Sequence, residues 1–162
     1  MLKIGETVQY FGNGLCTVDE IITEDFGSGK MDYYVLRPVM RRFNTFYIPA
    51  NNQKMLSKVR RILTAEEIEQ IISELSQNKT VWIEDDAERK ESYRKIIADG
   101  DFCGMIKAVR SIHFHRDELK CSGRKLHLID EIMLKDAENI LYDELALVLK
   151  IEKEDVYNYI IK

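Results

Sequence analysis

Cysteine is scarce in this 162-residue chain: Cys16, Cys103 and Cys121 are the only three, and no two form a CxxC pair. An odd, scattered set argues against a disulfide framework and fits a reducing compartment. Long apolar runs are also missing, and the stretches present are far too short to span a bilayer. The opening residues, Met1-Leu2-Lys3-Ile4-Gly5-Glu6, pass straight into a polar turn, so no signal peptide is expected. These absences predict a soluble, cytoplasmic protein with no membrane partner. Catalytic signatures are lacking as well. There is no GxxxxGK[ST] phosphate loop, no HExxH and no nucleophile elbow, and no spacing binds Ser, His and Asp into one site. The expectation is a protein that is not an enzyme and carries no cofactor. A surplus of positive charge is absent too. The net charge is −4, which argues against a generic nucleic-acid binder.

What is present is a local reversal of that charge. Between Arg89 and Lys125 ten cations face five anions, whereas the chain after Leu128 is acidic. A basic patch on an acidic protein can bind phosphate locally and weakly. Hydrophobic residues make up 45% and charged residues 32%, enough for a core and for solubility.

The pattern of residues divides the chain. Up to about residue 53 it reads as β. Thr7-Val8-Gln9-Tyr10 alternates, and Gly12-Asn13-Gly14 is a turn. Strands follow at Leu15-Cys16-Thr17-Val18-Asp19-Glu20-Ile21-Ile22 and at Asp32-Tyr33-Tyr34-Val35-Leu36-Arg37-Pro38, across a glycine-rich loop over 25–30. Asn44-Thr45-Phe46-Tyr47-Ile48-Pro49 is a fourth strand. Short strands and tight turns in so few residues suggest a small SH3- or Tudor-like β-barrel. After Asn52 the period becomes helical. Thr64 and Glu67 make a capping box ahead of Ile68, Ile71, Ile72 and Leu75. Asp85 or Asp86 caps a helix to about Ala98, and Asp99-Gly100-Asp101 breaks it. Phe102, Met105, Ile106, Val109 and Ile112 form one stripe. Leu126, Ile129, Ile132, Met133, Ala137, Ile140 and Leu141 form another, and a short last helix begins near Glu152. The fold expected is α+β: a β-barrel domain over 1–56 and an all-α domain of about five helices over 57–162.

Ile4-Gly5-Glu6-Thr7-Val8-Gln9-Tyr10, Gly12-x-Gly14, Val18-x-x-Ile21, Tyr33-Tyr34-x-Leu36 and Tyr47-Ile48-Pro49 together resemble the RNA-polymerase-interacting domain of the CarD/CdnL family. The same module occurs in transcription-repair coupling factors, whose helicase motifs this chain lacks. The second half is similar to the same family: Trp82, then Arg89, Tyr93-Arg94, Gly100-Asp101, Gly123-Arg124-Lys125, and Ala137-Glu138-Asn139-Ile140-Leu141 with Glu144-Leu145-Ala146. The resemblance implies a bacterial transcription regulator. Its barrel would bind the β subunit of RNA polymerase by pairing an edge strand. Its helical domain would lie on promoter DNA without reading sequence, at the upstream edge of the bubble. An aromatic wedge, Trp82 here, would slow bubble collapse.

The residues can be weighed one by one. Trp82, read from its type alone, is a core residue, since most tryptophans are largely buried. The resemblance makes it the wedge, although Glu84-Asp85-Asp86 beside it would repel phosphate. Arg89, Arg94, Lys95, Arg116, Lys120, Arg124 and Lys125 are the expected phosphate contacts, with a solvated charged face as the plainer alternative. Gly123-Arg124-Lys125 is read as a helix start offering N–H groups to a phosphate. The expected polymerase edge is Thr45, Phe46, Tyr47, Ile48 and Pro49, because proline cannot donate to a ladder. Where the family is often basic, near Tyr47 and Glu24, this chain is aromatic and acidic, which implies either that other cations such as Arg37, Arg41 and Arg42 take the role or that the surface is tuned to a different polymerase; Arg41 and Arg42 as solubilising residues of a hairpin are the plainer alternative. His113, His115, Cys121 and His127 are not expected to hold a metal, since His-x-His points two imidazoles apart on a strand or a helix. The carboxylates of the last third read as helix surface and caps. The chain reads as a monomer, with a domain-swapped dimer through the exposed edge as the alternative. A second functional reading is a protein-only adaptor that binds polymerase without touching DNA.

Overall fold

The computed structural model describes residues 1–27, 29–40, 44–77 and 81–161. It divides into two units, Met1–Ile62 and Leu63–Lys162.

The first unit is one antiparallel sheet. Its strands are β1 (Thr7–Tyr10), β2 (Gly14–Glu24), β3 (Met31–Pro38), β4 (Phe46–Pro49) and β5 (Val59–Arg61), with a one-turn helix α1 (Gln53–Leu56) before β5. The spatial order is β4-β3-β2-β1-β5. Val8, Tyr10, Cys16, Val18, Tyr34, Leu36 and Ile48 pack into one core. A bulge between Val18 and Glu20 takes Asp19 out of the ladder, and Asp19 pairs with Arg37 at 2.8 Å.

Two features differ from the expectation. Val59–Arg61 pairs with β1, so the unit runs through Ile62 rather than ending at 56. Three residues are too few to show an alternation. The sheet also does not close into a barrel among the described residues: β4 and β5 are its two edges. Pro49 has no N–H to give, and its carbonyl accepts from Asn52 N at 3.0 Å, turning the chain away.

The second unit is helical: α2 (Ala65–Ser76), α3 (Asp86–Asp99), α4 (Phe102–Cys121), α5 (Leu128–Leu149) and α6 (Val156–Ile161), with a 3-10 turn at Lys153–Asp155. The capping box is formed: Thr64 N donates to Glu67 Oε2 at 2.9 Å and Glu67 N to Thr64 Oγ1 at 3.2 Å. Asp85 caps α3, whose end is closed by Gly100 in the left-handed conformation, and Asp101 caps α4. The stripe Phe102, Met105, Ile106, Val109 and Ile112 is buried, and α4 is the centre of the core. On α5 the expected stripe is too broad. Leu134, Ala137, Leu141 and Leu145 are buried, whereas Ile129 and Ile132 are exposed. The carboxylates there also differ from the surface reading. Asp130 and Glu144 are buried, and Glu144 accepts the backbone N–H of Leu63 at 3.1 Å.

Candidate functional site

Trp82 lies in the extended segment between α2 and α3, half-buried against the helical core. Two side chains hold its indole. His115 of α4 stacks on it at 3.8 Å between centroids and 13° between planes. The Arg89 guanidinium lies over it, 4.3 Å from the centroid. The segment itself is tied down on both sides of the ring: Ser111 Oγ donates to Val81 O at 3.1 Å, and Arg89 Nη1 donates to Ile83 O at 2.8 Å.

Arg89 therefore has a different task from the phosphate contact expected. It is 2% exposed. Nε and Nη2 grip both oxygens of Asp130 at 2.9 Å, Nη2 also donates to Asp86 at 2.7 Å, and Nη1 serves the Ile83 and Glu84 carbonyls. A guanidinium has five N–H donors, and all five are engaged. Hydrogen bonding to Asp130 raises its affinity for the proton, despite the loss of water. The hydrogen bond from Arg89 in turn holds the Asp86 carboxyl below its usual range. Arg89 positions Trp82 and has nothing left for DNA.

Trp82, Arg124 and Lys125 line one cleft of about 420 Å³, with His115, His127 and Leu126. Arg124 and Lys125 are exposed. They do not begin a helix: Gly123 N and Arg124 N close the end of α4 on Lys120 O and Leu119 O, and α5 begins later, with His127 as its N-cap. The Gly123 and Arg124 amides are thus taken up and not open to the anion role expected. The acids of the cleft are Glu84, Asp86 and Asp130, the last neutralised by Arg89.

The other expected cations are not brought to the cleft. Arg116 is half-buried; its Nη2 donates to His113 Nδ1 at 2.6 Å, and His113 Nε2 meets Glu138 at 2.6 Å. Arginine can only donate, so Nδ1 accepts and Nε2 carries the proton given to Glu138. Burial alone would raise the Glu138 carboxyl, but hydrogen bonds from His113 and Tyr142 carry it below its usual range. Lys120 is exposed, 3.5 Å from Asp117, and Arg94 is exposed, 3.6 Å from Glu91. On α3 the buried face is Arg89 and Tyr93, so Arg94 and Lys95 turn away by about 100° per residue.

At the sheet, β4 pairs among the described residues with β3 alone. Ala50 N donates to Asp32 O at 2.8 Å. By the two-residue alternation of an antiparallel ladder, Phe46 and Ile48 bond inward, and the N–H and C=O of Tyr47 point outward. The Tyr47 ring is 45% exposed and meets Phe26 at 5.4 Å. Phe26 also packs edge-on against Tyr33 at 4.9 Å. The loop holding Phe26 is shaped by Asp25, which accepts from Gly27 N and Gly29 N. Thr45 precedes the strand, and Arg37 is exposed and paired with Asp19. Arg41 and Arg42 lie outside the described residues.

Phe26 and Asp130 were not singled out by the sequence, and His115 was weighed there only as a metal ligand. Their partners Tyr47, Arg89 and Trp82 are distant along the chain, and no local pattern signals those contacts.

Two family models match. The CarD-like/TRCF RID domain takes in residues 2–62, and the CarD C-terminal domain takes in residues 70–161. An RNA polymerase-interacting sheet domain followed by this helical domain defines a transcription regulator of the polymerase-binding class. The chain belongs to the CarD family. None of the curated proteins compared matches it. No helix among the described residues is long and apolar enough to cross a membrane.

Proposed function

We propose that this protein binds the RNA polymerase β subunit through the β4 edge and stabilises the promoter open complex through the Trp82 cleft. The observation that carries the DNA contact is the convergence of Trp82, Arg124 and Lys125 on one cleft. An aromatic face needs a partly unstacked base step, and two long cations beside it meet the flanking phosphates. Arg89 contributes by holding the indole in place, which lowers the ordering cost of docking. Lys120, the last residue but one of α4, adds an outer phosphate contact; Arg94 and Lys95 belong to the solvated face of α3. On the sheet side, the outward N–H and C=O of Tyr47 accept an added strand, and the Tyr47–Phe26 rings cover it.

The second reading, a protein-only adaptor, is favoured by one observation: Trp82 is already stacked on His115, among the acids Glu84 and Asp86. Open-complex lifetime on a promoter with purified bacterial polymerase separates the two. The wild type is expected to lengthen it. Trp82→Ala is expected to bind polymerase equally and lose most of the effect, a change of about fivefold to a hundredfold, since a base–aromatic stack is worth about 1–3 kcal/mol. A wild-type protein that binds polymerase and leaves the lifetime unchanged would establish the adaptor instead.

A further inference from the structure

Behind the Trp82 segment the helical unit holds a second cavity, of about 400 Å³. The extended chain alternates across the two: Trp82 lines the cleft, while Val81 and Ile83 line this cavity. Leu75 and Ile96 complete its apolar wall, and Lys107 and Arg110 of α4 supply its cations. Arg110 is the unusual residue. It is 6% exposed, and its Nε and Nη1 are shut off from solvent without a hydrogen bond. Among the described residues neither Arg110 nor Lys107 forms an ion pair. The one carboxylate at the cavity, Asp101, is occupied as the α4 cap, accepting from Gly104 N at 2.9 Å.

Arg89 shows what a buried guanidinium in this unit has when it is structural: a bidentate carboxylate and every donor used. Arg110 has none of this, and burial alone pulls its proton affinity down. A buried charge without a counter-charge is costly unless a ligand supplies one. A cavity of this size, mostly apolar with a few convergent polar groups, is the usual form of a small-molecule site.

We propose that this cavity is a binding site for a small organic anion, one carboxylate or phosphate on a compact apolar body, and that its occupancy is transmitted to Trp82 through Val81 and Ile83. The anionic group pairs with Arg110 and Lys107, and the body rests on Leu75, Val81, Ile83 and Ile96. Because these two valine and isoleucine side chains flank the tryptophan on the same short segment, filling the cavity changes the restraint on the indole.

The test uses the full chain with phenyl phosphate, with phenol as the neutral counterpart, read by calorimetry and by Trp82 emission. Phenyl phosphate is expected to bind saturably, at least tenfold more tightly than phenol, and to shift the emission. Arg110→Met is expected to weaken phenyl phosphate at least tenfold while its unliganded melting temperature is unchanged or higher, because an uncompensated charge has been removed. If Arg110→Met fails to fold, Lys107→Ala, on the exposed side of the cavity, is expected to lose several-fold. Absence of binding by the wild type, equal binding of phenol, or unchanged binding in Arg110→Met and Lys107→Ala overturns the site. Binding without a change in Trp82 emission overturns the transmission to Trp82.

Discussion

Arg89 and Asp130 are separated by forty-one residues and buried together, with two parallel N–H···O contacts at 2.9 Å. Removing one partner leaves a charge in the interior. Asp130→Asn is therefore expected to destabilise the helical unit by about 3–5 kcal/mol in denaturant unfolding, with a change in Trp82 emission as the guanidinium over the ring is released. The double replacement Arg89→Met with Asp130→Leu is expected to recover much of that stability, since neither charge remains to be buried. The cysteines offer a second check at this scale. Cys16 is fully buried, and burial pushes its thiol up to about 11. Cys121 is exposed. In native protein at pH 8, iodoacetamide is expected to label Cys121 readily and to spare Cys16 until the sheet unfolds; mass spectrometry after a timed quench reads the difference. Equal labelling of the two would show that the β-core opens on the labelling timescale.

Among the elements, α3 stands apart because only Arg89 and Tyr93 of its fourteen residues are buried. Its place in the unit rests on one ion pair, the Tyr93 ring, the partly buried Ile96 and its cap, not on a broad apolar stripe. Trp82 is thus presented by a helix whose hold is polar, and damage to Asp130 is expected to reach the cleft. The end of α5 carries a different feature. Lys150 sits in the left-handed region at φ 54°, the only non-glycine residue with positive φ among those described. A side chain there costs about 1–2 kcal/mol, which glycine avoids. Lys150→Gly is expected to stabilise the helical unit by about 1 kcal/mol, less whatever Lys150 gives in solvation. A differential calorimetry scan showing a lower melting temperature would mean that Lys150 makes a compensating contact.

At the scale of the whole molecule, the charge of −4 opposes DNA, and among the described residues the exposed cations lining the cleft are Arg124 and Lys125, neither in an ion pair. Two phosphate contacts give little affinity at physiological salt. On the proposed reading, attachment to polymerase supplies the rest by raising the effective concentration of the cleft at the promoter. The isolated chain is accordingly expected to give no gel shift with duplex promoter DNA. In the polymerase complex, its effect on open-complex lifetime is expected to fall with salt, and Arg124→Ala and Lys125→Ala each to reduce that slope by about 1. An unchanged slope in both variants would remove them from the phosphate-contacting set.

Much of this protein was legible in the sequence, because the signals were local. The strand Thr7–Tyr10, the Thr64–Glu67 capping box, and the stripe from Phe102 to Ile112 each depend on near neighbours, and each is found where its pattern places it, although Gln9, the polar position of the strand, is buried as well. Trp82, Arg124 and Lys125 were also singled out from the sequence, and the fold brings them to one cleft. What only the tertiary structure decided was the environment of charge. Arg89, Arg110 and Arg124 are the same residue type in the same basic segment. One is sealed by Asp130 from another helix, one is buried with no counter-charge, and one stands in solvent. A chain pattern reports the phase of a side chain on its own helix. Whether a carboxylate waits opposite is set by packing between helices distant in sequence, and that contact alone separates a structural cation from one free to bind.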